Sequence, residues 1–224
     1  MKLPKTIAID GPAASGKSTL AEKLAGALGY LLFDTGVMYR ALTLAALETL
    51  DSVENENAVT RLAEQVQIDV QPPTKKDGRK YDVLLNGNDV TWQIRTPQVD
   101  ANVSHVSAYP GVRLAMSAQQ RRIGQRGSVV MVGRDIGTVV LPDAELKIYL
   151  DASVEERARR RFEEVQKRGE TQTYPEILVS MRRRDQIDST RAVAPLRPAS
   201  DAVIINSDGL NVEQVMQKVI KLLE

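Results

Sequence analysis

Short aliphatic runs recur along the chain between longer stretches of helical periodicity. Five of them, Thr6–Asp10, Leu31–Asp34, Val129–Val132, Leu146–Leu150 and Ala202–Asn206, are aliphatic and β-branched, the pattern of strands buried between two layers. The segments between them set apolar residues at helical spacing: Leu20, Leu24 and Leu28 within Lys17–Leu28, and Val212, Val215, Val219 and Leu222 near the C-terminus. Strand and helix alternating in this way predict a parallel sheet wrapped by helices. The alternation breaks between Gln67 and Ile94. There Gln67–Val70 and Asp82–Leu85 read as strands, a polar tract with Asp77-Gly78 separates them, and Asn86-Gly87 is a hairpin signal. Thr96-Pro97 then opens a helix, threonine suiting the cap and proline the first turn. The predicted fold class is α/β: a five-stranded parallel sheet flanked by helices, with a small antiparallel β-containing insertion. A chain of 224 residues supports one such domain.

Composition narrows the class. Hydrophobic residues at 42% and charged residues at 26% are those of a globular chain. The chain has no cysteine, which excludes a disulfide framework, a thiolate nucleophile and a thiolate metal site, and fits a cytoplasmic setting. The apolar run near the N-terminus, before Asp10, is far too short for a signal segment or a membrane span, so no membrane partner is expected. The net charge of +1 conceals a gathering of cations: residues 113–197 hold 15 Arg and 2 Lys against 12 Asp or Glu. Guanidinium groups grip phosphate oxygens in a bidentate fork, so this segment points to anionic ligands. Aromatic residues make up only 4% and no basic tail is present, which argues against a nucleic-acid partner.

Open parallel sheets bind ligands beyond the carboxyl ends of their strands. Those ends read Asp10-Gly11, Asp34-Thr35-Gly36, Gly133-Arg134-Asp135 and Asp151, polar at every stop. The first continues as Gly11-Pro12-Ala13-Ala14-Ser15-Gly16-Lys17-Ser18, a G-x-x-x-x-G-K-[ST] phosphate loop with a strand before it and an amphipathic helix after it. Its backbone N–H groups and the helix N-terminus would cradle the phosphates of ATP. Lys17 would reach the β and γ phosphates, Ser18 would ligate Mg²⁺, and Thr19 completes the donor set. An Asn-Lys-x-Asp guanine reader and an Asp-x-x-Gly switch are both missing from the sequence, so a kinase is favoured over a GTPase switch.

Four segments taken together carry a resemblance: the phosphate loop, Asp34-Thr35-Gly36-Val37-Met38-Tyr39-Arg40, Gly133-Arg134-Asp135-Ile136-Gly137-Thr138, and Arg184-Asp185-Gln186-Ile187-Asp188-Ser189-Thr190-Arg191. In this order they resemble the bacterial cytidylate kinases, P-loop nucleoside-monophosphate kinases, over nearly the whole chain. The resemblance implies a core of 1–40, 112–152 and 192–224, a monophosphate-binding insertion at about 41–111 and a lid at about 153–191. It implies transfer of the γ-phosphoryl group of ATP to CMP, with dCMP a second acceptor and Mg²⁺ the accompanying ion. Ser104, Arg113 and Asp135 are then expected to face cytosine, whose exocyclic amine asks for a carboxylate. By the same resemblance Thr35, Tyr39, Arg40 and Arg134 hold the acceptor phosphate, and Arg184 and Asp188 reach the sugar. Positions 184, 188 and 191 share one helical face if the helix continues that far. Arg134, Arg184 and Arg191 would orient or screen the transferring group.

The segment Glu155-Glu156-Arg157-Ala158-Arg159-Arg160-Arg161 resembles the start of the family's lid, and Arg157 and Arg161 are its candidates for phosphate contact. Glu155 with Arg159 and Glu156 with Arg160 also fall at the spacing of ordinary surface pairs. His105, the only histidine, is not needed as a base, because a phosphate monoester is largely ionised at neutral pH. Trp92, the only tryptophan, reads as a packing residue. Val132 departs from the family pattern, which carries an acid before Gly-Arg-Asp; Asp10 or Asp34 would have to serve in its place. The expected state is a monomer. The alternatives are a small P-loop kinase for UMP, AMP or a metabolite alcohol, and a nucleotide-gated binding protein without activity.

Overall fold

The computed structural model describes residues 3–50, 52–169 and 171–223. Its five-stranded sheet runs β2 (Leu31–Asp34), β6 (Val129–Val132), β1 (Thr6–Asp10), β7 (Leu146–Asp151), β8 (Val203–Asn206). The pairing is parallel where β1 meets β7, with Ile9 opposite Ile148, and where β7 meets β8, with Leu150 opposite Ile205. Strands β1 and β6 are almost wholly buried, as unbroken aliphatic runs require when helices cover both faces of a sheet. By internal packing the chain forms two compact units, 1–29 with 130–224, and 30–129.

The first unit carries the phosphate loop and the arginine-rich segment. Helix α1 (Lys17–Leu28) turns Leu20, Ala21, Leu24 and Ala25 inward and ends on Gly29 in the left-handed conformation. Helices α6 (Val154–Lys167) and α7 (Tyr174–Thr190) form a hairpin with its own small core of Ala158, Val165, Ile177 and Met181. Ala14 of the phosphate loop packs against that core. Ser153 caps α6, Thr173 with Glu176 forms a capping box on α7, and Asn211 with Gln214 does the same for α8 (Val212–Ile220).

The second unit is more helical than the alternation predicts. Helix α2 (Gly36–Thr49) buries nine side chains, among them Met38, Leu42 and Ala46. Helix α3 (Glu56–Gln65) follows and buries only Val59 and Ala63, too thin a stripe to stand out in the sequence. The antiparallel sheet is β3 (Ile68–Gln71), β4 (Asp82–Leu85) and β5 (Asn88–Asp89), one strand more than the expected pair. Asn86 and Gly87 join β4 to β5 at φ 50° and 83°, the positive values a two-residue hairpin turn needs. The hairpin is braced by Arg79, whose side chain is 3% exposed and bonds Asp77, Asp82 and Asp89 at 2.7–2.8 Å. Helices α4 (Pro97–Val106) and α5 (Pro110–Gly124) complete the unit, each with proline in its first turn.

Candidate active site

The phosphate loop leaves the central strand of the sheet, and its glycines are dictated by geometry. Gly11 sits at φ +146°, and a Cβ there would lie 2.1 Å from the carbonyl oxygen of Leu150. Gly16 stands at φ +96° as the N-cap of α1, and no side chain caps that helix end. The first N–H groups of α1 therefore face the loop with the positive end of the helix dipole behind them. Lys17 is buried; its Nζ donates to the carbonyl of Pro12 at 2.5 Å and to Ser15 Oγ at 3.4 Å. Ser18 and Thr19 follow on the exposed side of the first turn.

Two hollows adjoin the loop. The larger, of about 730 Å³, is lined by Ala14, Gly16, Lys17, Ser18 and Thr19 and, on α6, by Arg160, Glu163, Glu164 and Lys167. The smaller, of about 250 Å³, has an aliphatic wall of Leu20, Leu150, Leu210, Val212 and Val215. The larger hollow is polar and the smaller one largely apolar, a pairing that can take the ionic and the apolar parts of one ligand. Arg160 joins the two. Its guanidinium donates to the Ser15 carbonyl at 3.3 Å, to Ser207 Oγ at 3.1 Å and to the Ser207 carbonyl at 2.6 Å, while Glu156 holds its Nε at 2.8 Å. Arg159 and Arg160 together hold the Glu156 carboxyl down at about 2. Nothing in the sequence marks Ser207 and Leu210, because the connection from β8 to α8 that holds them carries no phosphate motif.

Arg157 is 4% exposed. It donates to the carbonyls of Ala152 at 2.9 Å and Ala13 at 3.3 Å, and grips Asp185 with two bonds of 3.0 and 2.6 Å. Expected at the phosphates, it ties α6 to α7 and both to the loop. Arg161 lies at the surface and meets Glu164 at 3.1 Å. Glu155 pairs with Arg182 of α7, and Arg159 with Glu156 and Glu163, so the expected Glu155–Arg159 pair does not form.

Around the end of β6 the same unit assembles the second cluster. Arg134 Nε donates to Asp188 at 3.0 Å, Arg191 Nη1 reaches Asp188 at 3.4 Å, and Arg191 Nη2 lies 3.5 Å from Asp135. Arg184 Nε stands 4.0 Å from Asp188. Desolvation in the cluster and then the charge of Arg134 lower the Arg184 pKa, an effect that water screens because the side chain is 59% exposed. The expected helical face is corrected at its last position: α7 stops at Thr190, and Arg191 turns out of the helix with ψ 142°. Its Nε is held by the Ala194 carbonyl at 2.6 Å, so Arg191 joins the cluster from an extended segment.

Asp10, at the end of β1, accepts from Ile136 N at 2.8 Å and Gly137 N at 2.7 Å. Burial pushes its pKa up to about 6 against the pull of those two bonds. Asp34 instead accepts from Gly36 N at 3.0 Å, and Val132 is a buried member of β6.

In the second unit Thr35 stands at the N-cap of α2, buried, with Tyr39 and Arg40 on the next turn. Arg40 donates to the Ile94 carbonyl at 3.1 Å and pairs with Asp100 at 2.6 Å. Burial raises the Tyr81 pKa, with Asp34 adding to it and Arg95 and Arg40 opposing. Tyr81 and Arg95 thus belong to the surroundings of Arg40, and nothing in their sequence context marks them. Arg113 is buried on α5 with its guanidinium 5.6 Å above the Tyr39 ring, and Ser104 is exposed on α4. His105 Nε2 meets Tyr109 Oη at 2.5 Å and Glu54 at 3.2 Å. Trp92 is 46% exposed, more open than a packing residue, with its Nε1–H on Asp77 at 3.0 Å.

A phosphate loop on the central strand of a five-stranded parallel sheet, beside an arginine-bearing helical hairpin, is the architecture of a small P-loop kinase. A shikimate kinase from Bacteroides thetaiotaomicron has the same fold, with a TM-score of 0.50 at 12% identity over 97% of each chain. The particular family follows from sequence comparison: a family model described as cytidylate kinase matches residues 7–224. Cytidylate kinases from Herpetosiphon aurantiacus (52% identical, 100% of this chain and 96% of that one), Roseiflexus castenholzii (55%, 98% and 94%) and Bacillus subtilis (45%, 100% and 98%) are similar to it. The chain belongs to the cytidylate kinase family, kinases that transfer a phosphoryl group from ATP to CMP. Among the described residues no helix is long and apolar enough to cross a membrane.

Proposed function

We propose that the chain transfers the γ-phosphoryl group of ATP to CMP, and to dCMP, releasing ADP and the pyrimidine nucleoside diphosphate. The observation that carries this reading is the cluster of Arg134, Asp135, Asp188 and Arg191, joined by bonds of 3.0–3.5 Å within the unit that bears the phosphate loop. Such a set offers guanidinium groups to phosphate oxygens and carboxylates to an amine and a hydroxyl.

The donor triphosphate lies along Gly11 to Thr19, with Lys17 leaving the Pro12 carbonyl for the β and γ oxygens. Mg²⁺ arrives with ATP and suits this loop, since it retains waters and phosphate oxygens and takes few protein ligands; the Ser18 hydroxyl supplies one neutral oxygen. Arg161 screens phosphate charge from the lid, while Arg157 acts through the position of α7. Thr35, Tyr39, Arg40 and Arg134 hold the acceptor phosphate. Ser104, Arg113 and Asp135 read the cytosine, the carboxylate accepting from the exocyclic amine. Arg184 and Asp188 take the sugar hydroxyls, and Arg191 screens the transferring group. The acceptor oxygen is already ionised near neutral pH, so the protein supplies position and charge rather than a base. Closure of the hairpin over the donor would exclude water, which otherwise takes the phosphoryl group. The enzyme acts as a monomer in the cytoplasm, where both nucleotides are found.

A coupled ADP-release assay across CMP, dCMP, UMP, AMP and shikimate tests the reading. CMP and dCMP should be turned over fastest; preference for any other acceptor sinks it.

A further inference from the structure

The turn that carries Arg134 and Asp135 is not capped by the side chain at its own N-cap. It leaves β6 at Gly133 and enters one π-helical turn, Ile136–Val140, whose N-cap Asp135 makes no side-chain cap. The first N–H groups of any helical turn lack partners within it, and buried N–H groups left unbonded are costly. Here the partner comes from 126 residues away in the sequence. Asp10 is 4% exposed and places one carboxylate oxygen on Ile136 N at 2.8 Å and the other on Gly137 N at 2.7 Å. The fit is closed from behind: a Cβ on Gly137 would meet Asp10 Oδ2 at 3.4 Å and Lys147 Cδ at 3.2 Å.

We propose that Asp10 is a positioning residue of the phosphoryl transfer, its carboxylate fixing the turn that presents Arg134 and Asp135 to the acceptor nucleotide. The proposal rests on the acceptor roles given to those two residues above. Asp10 touches neither nucleotide in this scheme and takes no proton from one. It acts by demanding two acceptors at once, which only the ionised carboxylate provides. A protonated carboxyl, or an asparagine of the same shape, turns a donor toward one of the two N–H groups and releases the turn. The groups facing Asp10 are Lys17 of the phosphate loop, which favours the ionised form, and Asp135, which disfavours it. Tyr149 of β7 feels its charge, and Lys147 packs beyond Gly137 with its ammonium taken by Asp201 at 2.7 Å. With burial holding the pKa at about 6, the carboxylate loses its second acceptor just below neutrality.

The test is calorimetric binding of CMP and of ADP to wild type and Asp10→Asn at about pH 7.5 and about pH 5, with steady-state kinetics alongside. Near pH 7.5 the variant should bind CMP about tenfold more weakly, with its CMP KM raised to match, while ADP affinity stays within about twofold. Near pH 5 the CMP affinities of the two proteins should converge, because protonated Asp10 and asparagine offer the same donor and acceptor. Titration of the CMP phosphate cancels in that ratio. CMP and ADP affinities falling together, or a ratio that does not move with pH, would show a merely structural carboxylate and overturn the proposal. Should Asp10→Asn fail to fold, Gly137→Ala takes its place, and a CMP-specific loss is again the expected result. Arg134→Lys and Asp135→Asn separate the two levels. If neither weakens CMP binding, the acceptor reading itself fails; if they do and Asp10→Asn does not, only the positioning role fails.

Discussion

Arg157→Met removes a charge from the centre of the helical hairpin while keeping most of the stem that packs there. Four hydrogen bonds are lost: two to Asp185, one to Ala152 and one to Ala13 of the phosphate loop. Stripping one partner from a fully buried ion pair costs about 3–5 kcal/mol. Asp185 is 30% exposed and can recover part of its hydration, which lowers that figure to about 2 kcal/mol, and two carbonyls left short of a donor add about 1 kcal/mol. A total near 3 kcal/mol shifts the Tm of a chain this size by about 6–12 °C. Differential scanning calorimetry of Arg157→Met, Asp185→Asn and the double variant gives the coupling, expected above about 1 kcal/mol. The variant that folds should lose CMP turnover in proportion to disorder of α7. A Tm unchanged within a degree or so, together with a large fall in kcat and additive single effects, would refute the pin and return Arg157 to the phosphates.

Asp10 also gives stability a pH dependence of defined sign. Its folded-state pKa is raised from 3.8 to about 6, so the stabilising term is full below about pH 4 and is lost as pH rises through 6. Urea denaturation should show wild type losing up to about 3 kcal/mol across that window relative to Asp10→Asn, which cannot titrate. Gly11→Ala drives a methyl into the Leu150 carbonyl at 2.1 Å and should cost at least about 3 kcal/mol, read as a lower Tm with ATP affinity down more than about tenfold. Thr138→Val replaces a buried hydroxyl that has no partner among the described residues, and should leave the Tm equal or raise it by a few degrees. Asp135→Asn should cut the preference for CMP over UMP by about tenfold in kcat/KM, since the amide can meet either pyrimidine.

The sheet could be read because buried parallel strands have nowhere to put a polar side chain. Thr6–Asp10, Leu31–Asp34 and Val129–Val132 match the observed strands residue for residue, and the other two differ by one residue at an end. What was missed was held by fewer apolar contacts. Helix α3 buries only two side chains, and β5 is two residues long. The shared face of 184, 188 and 191 depended on α7 reaching Arg191; the helix stops at Thr190, and Arg191 reaches Ala194 and Asp135 from an extended backbone.

The candidate site divides along the same physical line. Residues that work through local geometry announced themselves: a glycine that must sit at φ +146°, a lysine and serine opening a helix, an arginine and aspartate directly after a strand. Residues that reach across the fold showed their charge but not their contacts, because each has a partner 28, 47 or 126 positions away: Arg157 with Asp185, Arg160 with Ser207, Asp10 with Ile136. Each of these three buries polar groups and satisfies them with a bond to another segment, so each converts a local charge into a constraint between elements. On α6, Arg157 and Arg160 bond other segments of the fold, whereas Arg161 lies at the surface. Arg157 and Arg160 both bond the loop, and Arg157 also bonds α7, an order that suits the proposed reaction, which works by position rather than by an acid or base.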